Sequence, residues 1–176
     1  MKLITWANLL TLGRFLAILP CAWAITSDHW QPAAALFTFA VVTDFLDGQM
    51  ARRYSQASTL GGLLDHATDA LFVGTCLAAL AWSGYVNPWL PVMVLLAFSQ
   101  YMIDSQALTG HTLRTNWLGR NNGIGYYVLV GVPVVRNALG FSWPGDVLIE
   151  LFAWLLLAST AVSMIERAIV FARLRA

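Results

Sequence analysis

Long apolar runs alternate with short polar breaks along almost the whole chain, and the runs have the length of bilayer crossings. Taking about 20 residues as the span that a hydrocarbon core requires, the pattern predicts six helices, at roughly 5–25, 32–53, 60–83, 88–109, 122–139 and 147–172. The breaks carry the residues that favour turns: Ser27-Asp28-His29, Arg53-Tyr54-Ser55-Gln56, Ser83-Gly84 with Asn87-Pro88, Asn121-Asn122-Gly123, and Ser142-Trp143-Pro144-Gly145-Asp146. No internal repeat and no low-complexity segment interrupts the pattern. The expected architecture is an all-α integral membrane protein, a bundle of about six transmembrane helices forming one domain over residues 1–176.

Composition sharpens this picture. The chain is 59% hydrophobic and only 11% charged, with eight Trp, which excludes an ordinary soluble domain. A net charge of +1 offers no polyanion-binding surface, so nucleic acid is not an expected partner. Cys21 and Cys76 lie in apolar runs without metal or pairing spacing and read as buried free thiols. Met1-Lys2-Leu3 before an apolar run resembles a signal peptide, but Arg14 interrupts the run, so the first helix is expected to be retained. Trp30, Trp82, Trp89, Trp117 and Trp143 fall near helix ends, as an interfacial aromatic belt requires.

Charge asymmetry predicts the orientation. With the N-terminus inside, Lys2, Arg14, Arg52, Arg53, Arg114, Arg120, Arg167, Arg173 and Arg175 all fall towards the cytoplasm, and Arg136 alone towards the other side. Cytoplasmic loops carry the Lys/Arg excess in membrane proteins. Both termini and the 2–3 and 4–5 connections are therefore expected on the cytoplasmic side of what reads as a bacterial inner membrane.

Chemistry is concentrated between residues 44 and 69. Asp44-x-x-Asp47-Gly48-x-x-Ala51-Arg52 is followed, eight residues later, by Gly61-x-x-x-Asp65-x-x-x-Asp69. A carboxylate at a helix centre in a bilayer costs about 2.5–3.5 kcal/mol on insertion scales, and such groups usually face an ion, a cavity or a partner. Asp44, Asp47, Gly48 and Ala51 share one helix face, and Asp65 and Asp69 sit one turn apart. The short link between helices makes them antiparallel, so oxygen ligands face one another across a cleft at the cytoplasmic ends of helices 2 and 3. Such a set suits Mg²⁺ or Mn²⁺, and four carboxylates balance two divalent ions, a recurring device for displacement at phosphorus.

Small residues beside the acids let a flat group approach, although Gly and Ala equally serve tight helix packing. Arg52 is placed to hold a phosphate oxygen. Asp104, in the fourth helix, is a further intramembrane acid, with Arg114 or an acceptor as its candidate partner. His66 adjoins Asp65 but points about 100° away from it around the helix, and reads first as a helix-interface histidine, with contact to substrate or to a metal-holding side chain as the alternative. Arg114 and Arg120, on the 4–5 connection, are candidates for binding an acceptor.

The motif D-x-x-D-G-x-x-A-R, eight residues, G-x-x-x-D-x-x-x-D matches the signature of the CDP-alcohol phosphotransferase family, and the chain resembles that family over most of its length. Asn8-Leu9-Leu10-Thr11-Leu12-Gly13-Arg14, followed by Pro20, is similar to its first-helix pattern N-x-L-T-x-x-R…P. The resemblance implies transfer of a phosphate-linked group, usually from CDP-diacylglycerol, to an acceptor hydroxyl with release of CMP. It implies that Asp44, Asp47, Asp65 and Asp69 hold two metal ions and that Asp69 also takes the acceptor's proton. Gly48, Ala51, Arg52 and Gly61 would line the donor's CMP part, and the protein would be a homodimer.

Departures leave the acceptor open. Members that accept glycerophosphate resemble L-D-P-x-x-D-K and G-K-x-K-T, where this chain has Leu64-Asp65-His66-Ala67-Thr68-Asp69-Ala70 and Leu118-Gly119-Arg120-Asn121-Asn122-Gly123. The Asp-His-x-x-Asp form is reminiscent of the branch that uses CDP-aminoalcohols with diacylglycerol. The alternative from another class is an intramembrane cation transporter. Against it, the stretches Ala33 to Val42 and Val73 to Trp82 are almost wholly apolar, whereas an ion route needs polar groups at every depth.

Overall fold

The computed structural model describes residues 6–53, 59–104 and 117–175, and side chains within 9–46, 62–103 and 117–172. It is all-helical, with no strand among the described residues: α1 Trp6–Thr26, α2 Trp30–Arg53, α3 Thr59–Trp82, α4 Trp89–Asp104, α5 Trp117–Ala138 and α6 Asp146–Arg175. Six helices follow the six apolar runs, because a segment in hydrocarbon must satisfy its backbone hydrogen bonds internally.

Each connection on one side of the bundle is closed by local chemistry. Asp28 (φ 57°) and Gly84 (φ 81°) end α1 and α3 in the left-handed region, and His29 N–H and Tyr85 N–H reach back to the Ala24 and Leu80 carbonyls at 2.8 and 2.9 Å. These bonds use carbonyls that the helix ends leave unpaired. Asn87 caps α4, its Oδ1 accepting from Leu90 N–H at 3.0 Å, with Pro88 following where a missing N–H costs nothing. Between α5 and α6, the Arg136 guanidinium donates to the Pro144 carbonyl at 2.7 Å and pairs with Asp146 at 2.7 Å.

α1 packs on both α2 and α3, α5 packs on α2 and α6, and α4 bridges α3 to α6. Phe72, Leu77, Leu80, Leu90, Leu129, Val130 and Val134 form the centre. The outward faces are apolar as well: Leu19 is 75% and Trp82 85% exposed. So much uncovered apolar surface is ordinary only where lipid covers it. Among the described residues, three helices are long and apolar enough to cross a bilayer: Leu9–Thr26, Gly62–Trp82 and Asp146–Ala172. Within the described residues, Trp30–Leu46 and Trp89–Ile103 are shorter apolar segments.

One expected break is absent. Asn121-Asn122-Gly123 does not start the fifth helix but lies inside it, beginning four residues after Trp117. Asn122 is buried against α6, where its Oδ1 accepts from Ser159 Oγ at 2.6 Å. That tertiary contact removes the solvent and local hydrogen bonding that make Asn a turn former in isolation.

Candidate active site

Four helices meet where α2 ends and α3 begins. Asp44 comes from α2, Asp65 and Asp69 from successive turns of α3, Arg14 from α1 and Tyr127 from α5. Arg14 is fully buried, and its Nη1 lies 3.2 Å from Asp44 Oδ1 and 2.9 Å from Asp65 Oδ1, with Asp69 Oδ1 also in direct contact. Tyr127 Oη donates to the same Asp69 oxygen at 3.1 Å. Three carboxylates thus turn one oxygen each towards a single point.

The surroundings hold that arrangement in place. Thr43 donates back to the Phe39 and Ala40 carbonyls and Thr68 to that of Leu64, at 2.8–2.9 Å, which satisfies hydroxyls that have no water to turn to. Beneath Asp69, the Tyr127 ring leans on Phe37, and Phe37 on Phe72, with centroids 6.3 and 6.4 Å apart. Gly131 allows this packing: a Cβ there would lie 2.8 Å from Phe37 Cε1.

A cavity of about 650 Å³ opens beside the acids. Asp44 of α2, His66 and Asp69 of α3, Tyr101 of α4, Arg120 and Tyr127 of α5 and Arg167 of α6 all line it. The Arg167 guanidinium sits 4.8 Å over the Tyr101 ring, and His66 meets the edge of the same ring at 6.3 Å. A pocket of this size holds a substrate-sized group, and its lining contains both carboxylates and guanidinium groups.

The donor set fits a hard divalent cation. Asp65, His66 and Asp69 each bring a ligand atom within 4.8 Å of the others, and Asp44, Asp65 and Asp69 present converging oxygens. Carboxylate oxygens at one point are what Mg²⁺ and Mn²⁺ select.

The sequence-derived candidates fall into three groups. Asp44, Asp65 and Asp69 come together as their spacing requires. Asp47, Gly48, Ala51 and Arg52 lie within α2 and Gly61 within α3, but their side chains are outside the described residues, as are that of Asp104 at the end of α4 and all of Arg114. Arg120 is in the first turn of α5 rather than in a loop, at the cavity wall; the helix starts earlier because Asn121 and Asn122 do not break it. His66, expected at a helix interface, is exposed and lines the cavity. Its neighbour across the gap is Tyr101 of α4, so the rotation away from Asp65 turns it towards that open side.

Arg14, Tyr127, Asn122 and Arg167 were not assigned to the site from sequence. Arg14 had a signal, since an arginine inside an apolar run needs a counter-charge, but the positive-inside rule already accounted for it. Tyr127 and Asn122 look like ordinary helix residues until the α5 packing is known.

An all-helical, membrane-embedded protein with a carboxylate cluster at one end of a substrate-sized cavity is the class defined by fold and site. The chain belongs to the CDP-alcohol phosphatidyltransferase family, whose model matches residues 4–171, which places it among the CDP-alcohol phosphotransferases. It is 27% identical to the cardiolipin synthase (CMP-forming) of Streptomyces coelicolor over 87% of this chain and 74% of that protein. It is 38% identical to the CDP-diacylglycerol–glycerol-3-phosphate 3-phosphatidyltransferase of Cereibacter sphaeroides over 51% of this chain and 43% of the relative. Against the corresponding enzyme 2 of Arabidopsis thaliana it is 32% identical over 69% of this chain, which spans 54% of that relative.

Proposed function

We propose that the protein transfers the phosphatidyl group of CDP-diacylglycerol to the hydroxyl of an acceptor alcohol and releases CMP, a step of phospholipid synthesis. The observation that carries this reading is the convergence of Asp44, Asp65 and Asp69 at the end of the cavity. It is supported by the match of the family model to nearly the whole chain. Bound Mg²⁺ or Mn²⁺, two ions held by Asp44, Asp47, Asp65 and Asp69, would supply charge stabilisation to the phosphoryl oxygens.

The chain's own residues then have distinct tasks. Asp69, oriented by the Tyr127 hydroxyl, accepts the proton as the acceptor oxygen bonds to the lipid-side phosphorus. The phosphorus–oxygen bond to CMP breaks in the same displacement, and CMP leaves with that bond's electron pair. Gly48, Ala51, Arg52 and Gly61 would receive the cytidine nucleotide. Arg120 and Arg167, which line the same cavity as the acids, suit an acceptor that carries negative charge. We place the site, both termini and the nucleotide on the cytoplasmic side of a bacterial inner membrane, from the nine-to-one distribution of Lys and Arg. The chain would act as one domain in a homodimer.

The test is purified protein with CDP-diacylglycerol, Mn²⁺ and a panel of acceptor alcohols, read as CMP released. Asp44→Asn, Asp47→Asn, Asp65→Asn and Asp69→Asn should each abolish turnover in folded protein, and chelation should stop it reversibly. Full activity in two of these variants would refute the metal-dependent reading.

A further inference from the structure

Arg14 occupies the point on which the three carboxylates converge. Its Nη1 stands 2.9 Å from Asp65 Oδ1 and 3.2 Å from Asp44 Oδ1 and touches Asp69 Oδ1. Those are distances for a charged N–H donor. A Mg²⁺ ion at the same point needs its oxygens at about 2.0–2.1 Å, roughly an ångström closer. One position cannot hold both a guanidinium nitrogen and a metal ion. Arg14 and the Tyr127 hydroxyl both contact the same Asp69 oxygen, Oδ1.

We propose that Arg14 is a resident counter-cation that competes with the divalent metal for Asp44, Asp65 and Asp69, a positioning residue that keeps the metal-free site folded and sets how tightly it loads. This rests on the metal-dependent reading above. Three carboxylates so close would repel one another, and α1 delivers the positive charge that offsets it. Arg14 is fully buried, so a displaced guanidinium cannot escape into water. It must pair again with other oxygens inside the site, and the work of moving it is subtracted from metal affinity.

A merely structural arginine and a competing one predict opposite signs. Removing a residue that shapes the site should weaken metal binding, whereas removing a competitor should tighten it. Wild-type protein and Arg14→Gln would be compared by Mn²⁺ titration calorimetry and by thermal unfolding in chelator and in saturating Mn²⁺. The expected result is Mn²⁺ bound about tenfold more tightly by Arg14→Gln, within the usual 5- to 150-fold range of coupled equilibria. Its melting temperature should be well below wild type in chelator and restored by Mn²⁺. Arg14→Lys, which keeps the charge, should return the Mn²⁺ affinity to within about threefold of wild type. Unchanged or weaker Mn²⁺ binding by Arg14→Gln would overturn the proposal. So would failure of that variant to fold even in saturating Mn²⁺, since a metal ion should replace the missing charge. Wild-type protein that binds no Mn²⁺ at all would instead remove the metal-dependent reading beneath it.

Discussion

Gly131→Ala tests whether the aromatic packing under the site is as closed as its geometry implies. A Cβ at position 131 would stand 2.8 Å from Cε1 and 2.9 Å from Cζ of Phe37, against about 3.5–4.0 Å for carbon atoms at their optimum. Something must move by most of an ångström. The ring has little freedom to do so, being buried and in contact with Phe72 on one side and Tyr127 on the other. Overpacking of this kind costs about 1–3 kcal/mol, and a ring held on two sides belongs in the upper half of that range. For a chain of this size about 2–4 °C of melting temperature accompanies each kcal/mol, so a loss of roughly 4–12 °C is expected.

Two comparisons keep the reasoning honest. At Gly125 the nearest atom is closer still, Leu156 Cδ2 at 2.6 Å, but it is the end of a side chain that can rotate, so Gly125→Ala should cost only about 1 kcal/mol. Gly62 has nothing within 4 Å of its added Cβ, and Gly62→Ala should be neutral or gain up to about 1 kcal/mol from helix propensity. Thermal unfolding of detergent-purified protein, followed by Trp fluorescence, reads all three. Displacement of Phe37 should also shift Tyr127 off Asp69 and lower turnover about tenfold, as small misplacements of positioning groups do. A Gly131→Ala protein that melts no lower than Gly125→Ala would refute the argument.

Tyr127→Phe, which removes the hydroxyl on Asp69 and leaves the ring packing, should lower CMP release about tenfold to a hundredfold at unchanged melting temperature, the scale of one hydrogen bond to a charged group; a large stability loss would mean that the hydroxyl is structural. Arg120→Ala should raise the acceptor's KM and leave donor binding nearly unchanged, the pattern of lost ground-state binding; unaltered kinetics would return Arg120 to the positive-inside rule. Arg136→Ala should destabilise by about 1–2 kcal/mol because it leaves the Pro144 carbonyl without its donor. Asp146→Asn, at the exposed end of the same pair, should change stability by less than about 0.5 kcal/mol, and equal losses would show that the ion pair itself matters. Single cysteines at positions 55 and 116 should react with impermeant reagents from the cytoplasmic face only, and one at exposed Ser142 from the other; the reverse pattern would move the site away from the nucleotide supply.

Helix number and the turns at 27–29, 83–88 and 142–146 were legible because they follow from local chemistry: apolar runs, and Gly, Asp or Asn at the ends. The meeting of Asp44, Asp65 and Asp69 was legible too, since i, i+4 spacing and a short antiparallel link leave few other arrangements. The α5 start was not. Asn121-Asn122-Gly123 has the composition of a turn, and only burial of Asn122 against Ser159 makes it helical. Arg120 was misplaced for the same reason. Arg14 and Tyr127 reach the acids from helices far away in sequence, Arg14 at a separation of 55 residues from Asp69 and Tyr127 at 58. Such contacts depend on which helices pack together, and periodicity within one helix carries no information about that.

The buried arginine also changes the charge argument made from the motif alone. Four signature aspartates and two divalent ions would leave the site neutral. With Arg14 among them, a site of four aspartates and two divalent ions would carry one positive charge when loaded and three negative charges when empty. A loaded site with surplus positive charge favours a diphosphate-bearing donor, and an empty one repels it. Metal loading and nucleotide binding would then strengthen each other by the same factor, as linkage demands. The guanidinium displaced from the carboxylates would be the nearest buried group able to meet the donor's anionic oxygens. Under that logic the first helix, which contributes no acid to the motif, decides the order in which the site fills.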